Sequence, residues 1–256
     1  MHLICPVCKC ELHKEGKTAV CSNRHSFDYA KQGYLNLYLS NGKSHGDSKE
    51  SMQARTRFLE RDHYAFLKHK LKELTEQYPH DITVDLACGQ GYYTSELAGN
   101  EKYGFDLSKD ALKYAARKDP DTNYIVASIF ALPFQSGCAD IVTTCFAPIA
   151  KDEIERILKP GGIFISVTPA EDHLWQLKET LYETPYLNTV DDIGFETEEI
   201  RIEETMPLDH EALMDLFAMT PYYYHTSEKD RQKLDSIGHL DVKASFIIRI
   251  AKKEME

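Results

Sequence analysis

From residue 81 onward, short apolar runs alternate with amphipathic segments, and that order restricts the fold more than any other feature of the chain. "ITVDLA", "KYGFDLS", "NYIVA", "ADIVTTCFA" and "IFISVTP" read as strands. "GYYTSELA", "KDALKYAARK" and "KDEIERIL" read as helices between them. Strand–helix alternation predicts a parallel sheet with helices on both faces. Such sheets bind ligands beyond the carboxyl ends of their strands, where the strand order reverses.

The first of these connections is "VDLACGQGYYT". Asp85 ends a strand, and Gly89-x-Gly91 makes a turn through which backbone can approach a ligand with no Cβ in the way. Asp106 lies 21 residues beyond Asp85, at the end of the next strand, and suits ribose hydroxyls. A dinucleotide fold would share that acid, but the third glycine of GxGxxG is missing, since Tyr92, Tyr93 and Thr94 follow Gly91. The shorter turn suits a cofactor with no pyrophosphate. With "ASIFALPF" after the third strand and "LKPGG" before the fifth, the segment resembles class I S-adenosylmethionine (SAM) methyltransferases. The fold expected is therefore α/β and Rossmann-like. Asp85 would either touch the cofactor or brace the glycine turn.

The amino-terminal residues carry a different chemistry. Cys5-x2-Cys8-x12-Cys21-x3-His25 is two short pairs separated by a hairpin, the way a chain wraps a tetrahedral zinc ion. Cys10 is spare, because four ligands are found without it. No open coordination position remains, so the metal is structural; so short a segment needs its folding energy. The predicted organisation is a zinc-binding, RNA-recognising unit over 1–40, a linker with bridging helices around 48–60 and 63–77 within 41–80, and the methyltransferase domain over 81–256. Asp47, with Glu50 three residues on, reads as the first helix start.

Charge separates the two ends. The chain has a net charge of −11, which argues against a protein that coats nucleic acid with its whole surface. Residues 1–57 nevertheless hold nine Lys/Arg against five acids, a surplus of four, so a local RNA-binding surface is permitted there. Cys88, Cys138 and Cys145 lie in apolar, strand-like surroundings, which fits reduced thiols in a cytoplasm. No run reaches the roughly 20 apolar residues of a membrane span, and no export signal is read at the start.

The combination resembles the RlmA family of 23S rRNA (guanine-N1)-methyltransferases. The likeness is carried by "CPVC…CSNRHSFDYAKQGYLNL", "GDSKESMQARTRFLERDHY", "DLACGQGYYT", "FDLSKDALKYAA", "LPF", "LKPGG", "TPAEDHLWQLK" and "MTPYYY". It implies zinc on Cys5, Cys8, Cys21 and His25, and a SAM pocket lined by Tyr64, Gly89, Gln90 and His173. It implies a hairpin of 23S rRNA as partner, and a homodimer is compatible with it. In the glycine loop the family can read DIGCGEGYY; here Ala87 stands for a glycine and Gln90 for an acid. Ala87 is expected to be harmless by size, and Gln90 to contact the cofactor through backbone.

Methyl transfer from a sulfonium is an in-line displacement, so alignment and a dry cleft are the main requirements. "CFAPI" stands where amine methyltransferases carry an Asn/Asp-Pro-Pro-aromatic turn, which disfavours methylation of an exocyclic amine. No residue stands out as a base for guanine N1; Asp172 and His173 are the best placed. Tyr222, Tyr223 and Tyr224 could stack the target base, and Cys145 invites comparison with covalent catalysis. Two rival readings are a small-molecule or protein methyltransferase braced by zinc, and a non-enzymatic RNA-binding protein with a vestigial core. The intact Asp85, Gly89, Gly91 and Asp106 set disfavours the second, and the basic amino-terminal end disfavours the first.

Overall fold

The computed structural model describes residues 1–39 and 48–255. β1 (Leu12–Glu15), β2 (Thr18–Cys21) and β3 (Ser26–Asp28) form a small antiparallel sheet. β4 (Leu35–Asn36), α1 (Lys49–Glu60) and α2 (Ala65–Glu76) lead into the main alternation. That alternation comprises β5 (Ile82–Leu86), β6 (Glu101–Asp106), α3 (Lys109–Lys118), β7 (Asn123–Val126), β8 (Ala139–Cys145), α4 (Lys151–Ile157) and β9 (Leu158–Pro169). α5 (Trp175–Leu181), β10 (Glu198–Asp209), α6 (His210–Ala218) and β11 (His239–Lys252) complete it.

One eight-stranded sheet has the order β10-β11-β9-β8-β5-β6-β7-β4. β4 to β9 run parallel, while β11 pairs antiparallel with both β9 and β10. The chain steps from β5 outward to β6 and β7, then returns to place β8 on the other side of β5. The order reverses there, so the crevice lies above the carboxyl ends of β5 and β8.

Four features of the structure differ from the sequence reading or lie beyond it. Only a 3₁₀ turn, Thr94–Glu96, follows the glycine loop in place of the expected helix. Leu97 is already extended, and α2 covers that face instead. Leu97 clusters with Leu67, Leu71 and Leu74 of α2, and the Thr75 hydroxyl of α2 accepts from Ala98 N at 3.0 Å. Next, β4 lies within residues 1–40 yet belongs to the main sheet, pairing Leu35 with Ile125 and Asn36 with Val126. Third, β10 and β11 form a long hairpin, paired from Glu198–Ile250 to Asp209–His239. β10 is the exposed edge and carries Glu199, Arg201, Glu203 and Glu204, charges that discourage edge-to-edge pairing. Last, α1 is capped by Ser48, whose hydroxyl accepts from Ser51 N at 3.1 Å; Asp47 lies outside the described residues.

One core cluster runs without a break from the zinc unit (Leu3, Cys5, Leu12, Ala19, Cys21) through Phe134 into the sheet (Val84, Phe105). A second, on α2, α5, α6 and β11, fills the other side. No helix among the described residues is long and apolar enough to cross a membrane.

Candidate functional site: a zinc cluster and a cofactor crevice

Two tight turns present the metal donors. In the first, Lys9 N donates to Cys5 O at 2.9 Å and Lys9 sits at φ +61°. In the second, Arg24 N donates to Cys21 O at 2.9 Å and Arg24 sits at φ +62°. The ligand atoms of Cys5, Cys8, Cys21 and His25 lie within 4.8 Å of one another, as a tetrahedral ion requires. The Cys10 backbone N–H directed at the Cys8 sulfur draws that thiol down to about 5, which favours the thiolate a metal needs. Cys10 stays outside the group, its sulfur accepting from Asn23 Nδ2 at 3.5 Å.

Short contacts weld this cluster to the sheet. Ile4 N donates to Pro133 O at 3.0 Å, Gln135 N to His2 O at 2.9 Å, and Leu37 N to Val126 O at 3.0 Å. Lys9, Lys14, Lys17, Arg24 and Lys31 are all exposed on the zinc unit.

At the switch point, Gly89 N donates to Asp106 Oδ2 at 2.8 Å, and Ser108 N donates to Asp106 Oδ1 at 2.7 Å. Asp106 thus fixes the glycine turn while standing at the end of β6. Gly89 has φ +55°, and a Cβ added there would meet nothing within 4 Å. That is an open backbone face of the sort a cofactor needs. Gly91 differs: at φ +76°, its added Cβ would strike the Tyr124 hydroxyl and reach Ala115 Cβ at 3.1 Å. Gly91 answers to packing of the sheet against α3. Ala87 also lies at positive φ, +55°, so the alanine is small enough to fit but carries roughly 1–2 kcal/mol of backbone strain. Gln90 is buried.

Asp85 is 3% exposed and faces protein: Thr94 Oγ1 donates to it at 2.5 Å and Thr143 Oγ1 at 2.8 Å. Burial pushes this carboxyl up to about 6, against the pull of the two hydroxyls. A carboxyl raised in the folded state above its unfolded value of about 3.9 binds its proton first in the folded protein. Its contribution to stability is fully present below about pH 4 and is lost as pH rises to about 6, a difference of roughly 3 kcal/mol. Asp85→Asn has no charge to bury. It is expected to match wild type near pH 4 and to exceed it in urea midpoint above pH 6. An asparagine variant equally destabilised at both pH values would show that the carboxylate's hydrogen bonds outweigh its burial.

Tyr64 and His173 are brought together, with ring centroids 6.5 Å apart, and both pack on Phe246 of β11 at 5.1 Å and 4.7 Å. Phe246 continues to Phe146 at 5.2 Å, and Phe146 to Tyr93 at 6.3 Å, two residues past Gly91. These rings form one aromatic cluster, in which Tyr64, His173 and Phe246 are buried and Phe146 is exposed. Tyr93, Phe146 and Phe246 were not singled out from sequence, because nothing in their spacing signals convergence from three separate elements.

α1 lies against the same region. Arg57 Nε donates to Asp215 Oδ2 of α6 at 3.0 Å, and Arg61 Nη2 to Asp209 Oδ2 at 2.6 Å. On the other side Lys118 and Tyr114 of α3 bind Glu60, and Tyr92 donates to Asp62 at 3.1 Å.

The structure counts against both residues considered as a base. Burial holds His173 down to about 3, and its Nδ1 already accepts from Ser245 N at 3.2 Å. Burial pushes the Asp172 carboxyl up, but Lys243 and Arg201, each at 2.6 Å, outweigh it and hold it well below the usual carboxylate range. Burial raises the Cys145 thiol well up, so it keeps its proton and is no nucleophile. Of the tyrosine run, Tyr222 donates to Asn188 Oδ1 at 3.2 Å and Tyr223 packs on Arg231; Tyr224 is the exposed one.

Comparison with known proteins adds the following. Residues 3–44 match the family model described as "RlmA, N-terminal", and residues 84–166 match "Methyltransferase domain". A 23S rRNA (guanine(748)-N(1))-methyltransferase of Streptomyces fradiae is 33% identical over 88% of this chain and 86% of its own length. A malonyl-[acyl-carrier protein] O-methyltransferase of Yersinia pestis is 28% identical, but over only 43% of this chain and 44% of its own. Among solved structures, the YcgJ protein of Bacillus subtilis shares the fold, with TM-score 0.50, 14% identity, and coverage of 74% of this chain and 98% of that one.

Proposed function

The chain belongs to the 23S rRNA (guanine-N1)-methyltransferase family of the RlmA type, and on that premise we propose that it methylates N1 of one unpaired guanine in a hairpin of 23S rRNA. It is a SAM-dependent enzyme with a structural zinc. One observation carries the reading. The likeness to the rRNA enzyme covers 88% of this chain, with the zinc unit matched by its own family model, whereas the likeness to the acyl-carrier enzyme covers less than half the chain.

We assign the zinc to Cys5, Cys8, Cys21 and His25, and the SAM crevice to Tyr64, Asp85, Gly89, Gln90, Gly91, Asp106 and His173. Their roles differ. Gly89 supplies open backbone and Asp106 an acceptor for ribose hydroxyls, while Asp85 and Gly91 hold the turn in shape. Tyr64 and His173 line the aromatic wall and exclude water. SAM supplies, when bound, a methyl group on a positively charged sulfur. Guanine N1 carries a proton and lies on the Watson–Crick edge, so the acceptor must be unpaired and must lose that proton. With Asp172 and His173 discounted, the protein's part is alignment and desolvation, and the proton leaves to water.

Primer extension on 23S rRNA from cells with and without the gene tests the reading. One stop at a hairpin guanine is expected, present only with the gene; no gene-dependent stop overturns it. The exposed cations of the zinc unit should steer RNA. Arg24→Glu or Lys31→Glu is expected to raise KM for RNA several-fold with KM for SAM unchanged, and added salt should reproduce that defect in wild type. A reversal that leaves KM for RNA unchanged would take the RNA away from this face.

A further inference from the structure

Among the described residues, Phe146 alone is both an exposed large apolar side chain, at 42%, and a non-glycine residue at positive φ, +59°. Such strain costs about 1–3 kcal/mol and persists where the surroundings enforce it, most often at functional sites. The position is directly past β8, beside the strand that opens into the glycine turn. Phe146 N donates to Val167 O at 3.0 Å, which locks the backbone. The ring leans on Phe246 at 52° and on Tyr93 at 59°, so neither neighbour stacks parallel to it. A second observation lies alongside. The Tyr93 hydroxyl is buried with no hydrogen-bond partner among the described residues. Burial raises it well above the usual phenol range, so it remains a donor. Unpaired buried donors are rare and call for a reason. A flat base carrying a carbonyl would satisfy both the ring face and the donor.

We propose that Phe146 is the platform on which the extruded guanine stacks, with the Tyr93 hydroxyl donating to the guanine O6. This rests on the reading of an unpaired guanine as acceptor. Loss of the N1 proton to water spreads negative charge onto O6, where a fixed donor stabilises it; N1 then takes the methyl group as the methyl–sulfur bond breaks and its electron pair leaves on the sulfur.

The test is a coupling measurement on the 23S hairpin carrying the guanine mapped by primer extension, and on the same hairpin abasic at that position. Wild type is expected to bind the abasic RNA about 10- to 100-fold more weakly, the usual size of a base–aromatic stack. Phe146→Leu, which keeps volume without a π face, should lose that much on the intact hairpin and no more on the abasic one. Phe146→Trp should restore the difference, and the RNA affinities are measured without SAM, so that any change at the cofactor's wall does not enter them. Tyr93→Phe should lower kcat and move the rising limb of the pH–rate profile upward. The proposal is overturned if Phe146→Leu discriminates against the abasic hairpin as wild type does, if Tyr224→Ala removes the discrimination in its place, or if Tyr93→Phe leaves kcat and the profile unmoved. Failure of wild type to methylate the hairpin at all is a separate result, and it removes the acceptor assignment itself.

Discussion

Cys21→Ser is expected to release the metal and to lower the melting temperature of the entire protein, not of its first forty residues alone. Separate domain cores would have left SAM affinity intact after loss of the zinc, and the structure removes that premise. Cys21 and Cys5 sit in one cluster with Leu3, Leu12, Phe105, Phe134 and Val84. β4, which follows the knuckle, hydrogen-bonds to β7 as the outer strand of the main sheet. Unfolding the knuckle therefore strips an edge strand and uncovers Phe134 and Tyr103, both now fully buried. Structural zinc supplies on the order of 10 kcal/mol of apparent binding energy in zinc-finger peptides. If only half of that reaches the global equilibrium, melting falls by roughly 10–20 °C for a chain of this size. Scanning calorimetry should show one shifted transition, and SAM affinity should fall with it at growth temperature. Cys10→Ser is the control, since its sulfur lies outside the four donors; metal content of about one zinc per chain and normal melting are expected. Two resolved transitions in Cys21→Ser, the upper one unchanged, would restore the independent-domain picture. Loss of zinc from Cys10→Ser with retention in Cys21→Ser would overturn the ligand set.

The parts legible in the sequence were those written in local pattern. Spacing alone brought out the knuckle, because two turns with matching left-handed residues, Lys9 and Arg24, need only a few neighbours to form. The five inner strands were legible because buried parallel strands read as apolar runs. The two helices around 48–60 and 63–77 fall at α1, Lys49–Glu60, and α2, Ala65–Glu76. What could not be read was set by long-range packing. "GYYTSELA" has a helix-compatible pattern, but only a 3₁₀ turn forms, because α2 already occupies that face. The β10–β11 hairpin joins segments separated by α6 and its following turns, so no adjacent sequence announces it. The site divided the same way. Gly89 and Asp106 follow from strand ends and spacing, whereas the wall of Tyr93, Phe146 and Phe246 exists only once three distant elements meet. Asp172 sits at the right place in the chain, yet its charge is taken by Arg201 and Lys243 from the unread hairpin.

Gly89→Val is expected to fold and to lose SAM, while Gly91→Ala is expected to lose stability first. Sequence treats the two glycines alike, and the structure separates them. A side chain at Gly89 enters space that no protein atom occupies, at φ +55°. The folded protein bears only left-handed strain, about 1–2 kcal/mol, but the backbone face we assign to the cofactor is covered. Calorimetry should report SAM affinity reduced by about 100-fold or more, because the obstruction is covalent and cannot relax away. Asp106→Ala should weaken binding less severely. It removes the acceptor we propose for ribose and also the carboxylate that holds Gly89 N at 2.8 Å, yet it leaves the space open. At Gly91 the added methyl group meets the Tyr124 hydroxyl and Ala115, both on the protein. Overpacking of about 1–3 kcal/mol adds to the left-handed strain. Together these should lower melting by roughly 5–15 °C. Tyr124→Phe deletes the oxygen that the methyl group strikes, so in the Gly91→Ala background it should return part of the lost stability. A double variant no better than Gly91→Ala would mean that backbone strain, not the Tyr124 contact, requires glycine at 91. Normal SAM binding in both Gly89→Val and Asp106→Ala would move the cofactor out of this crevice altogether.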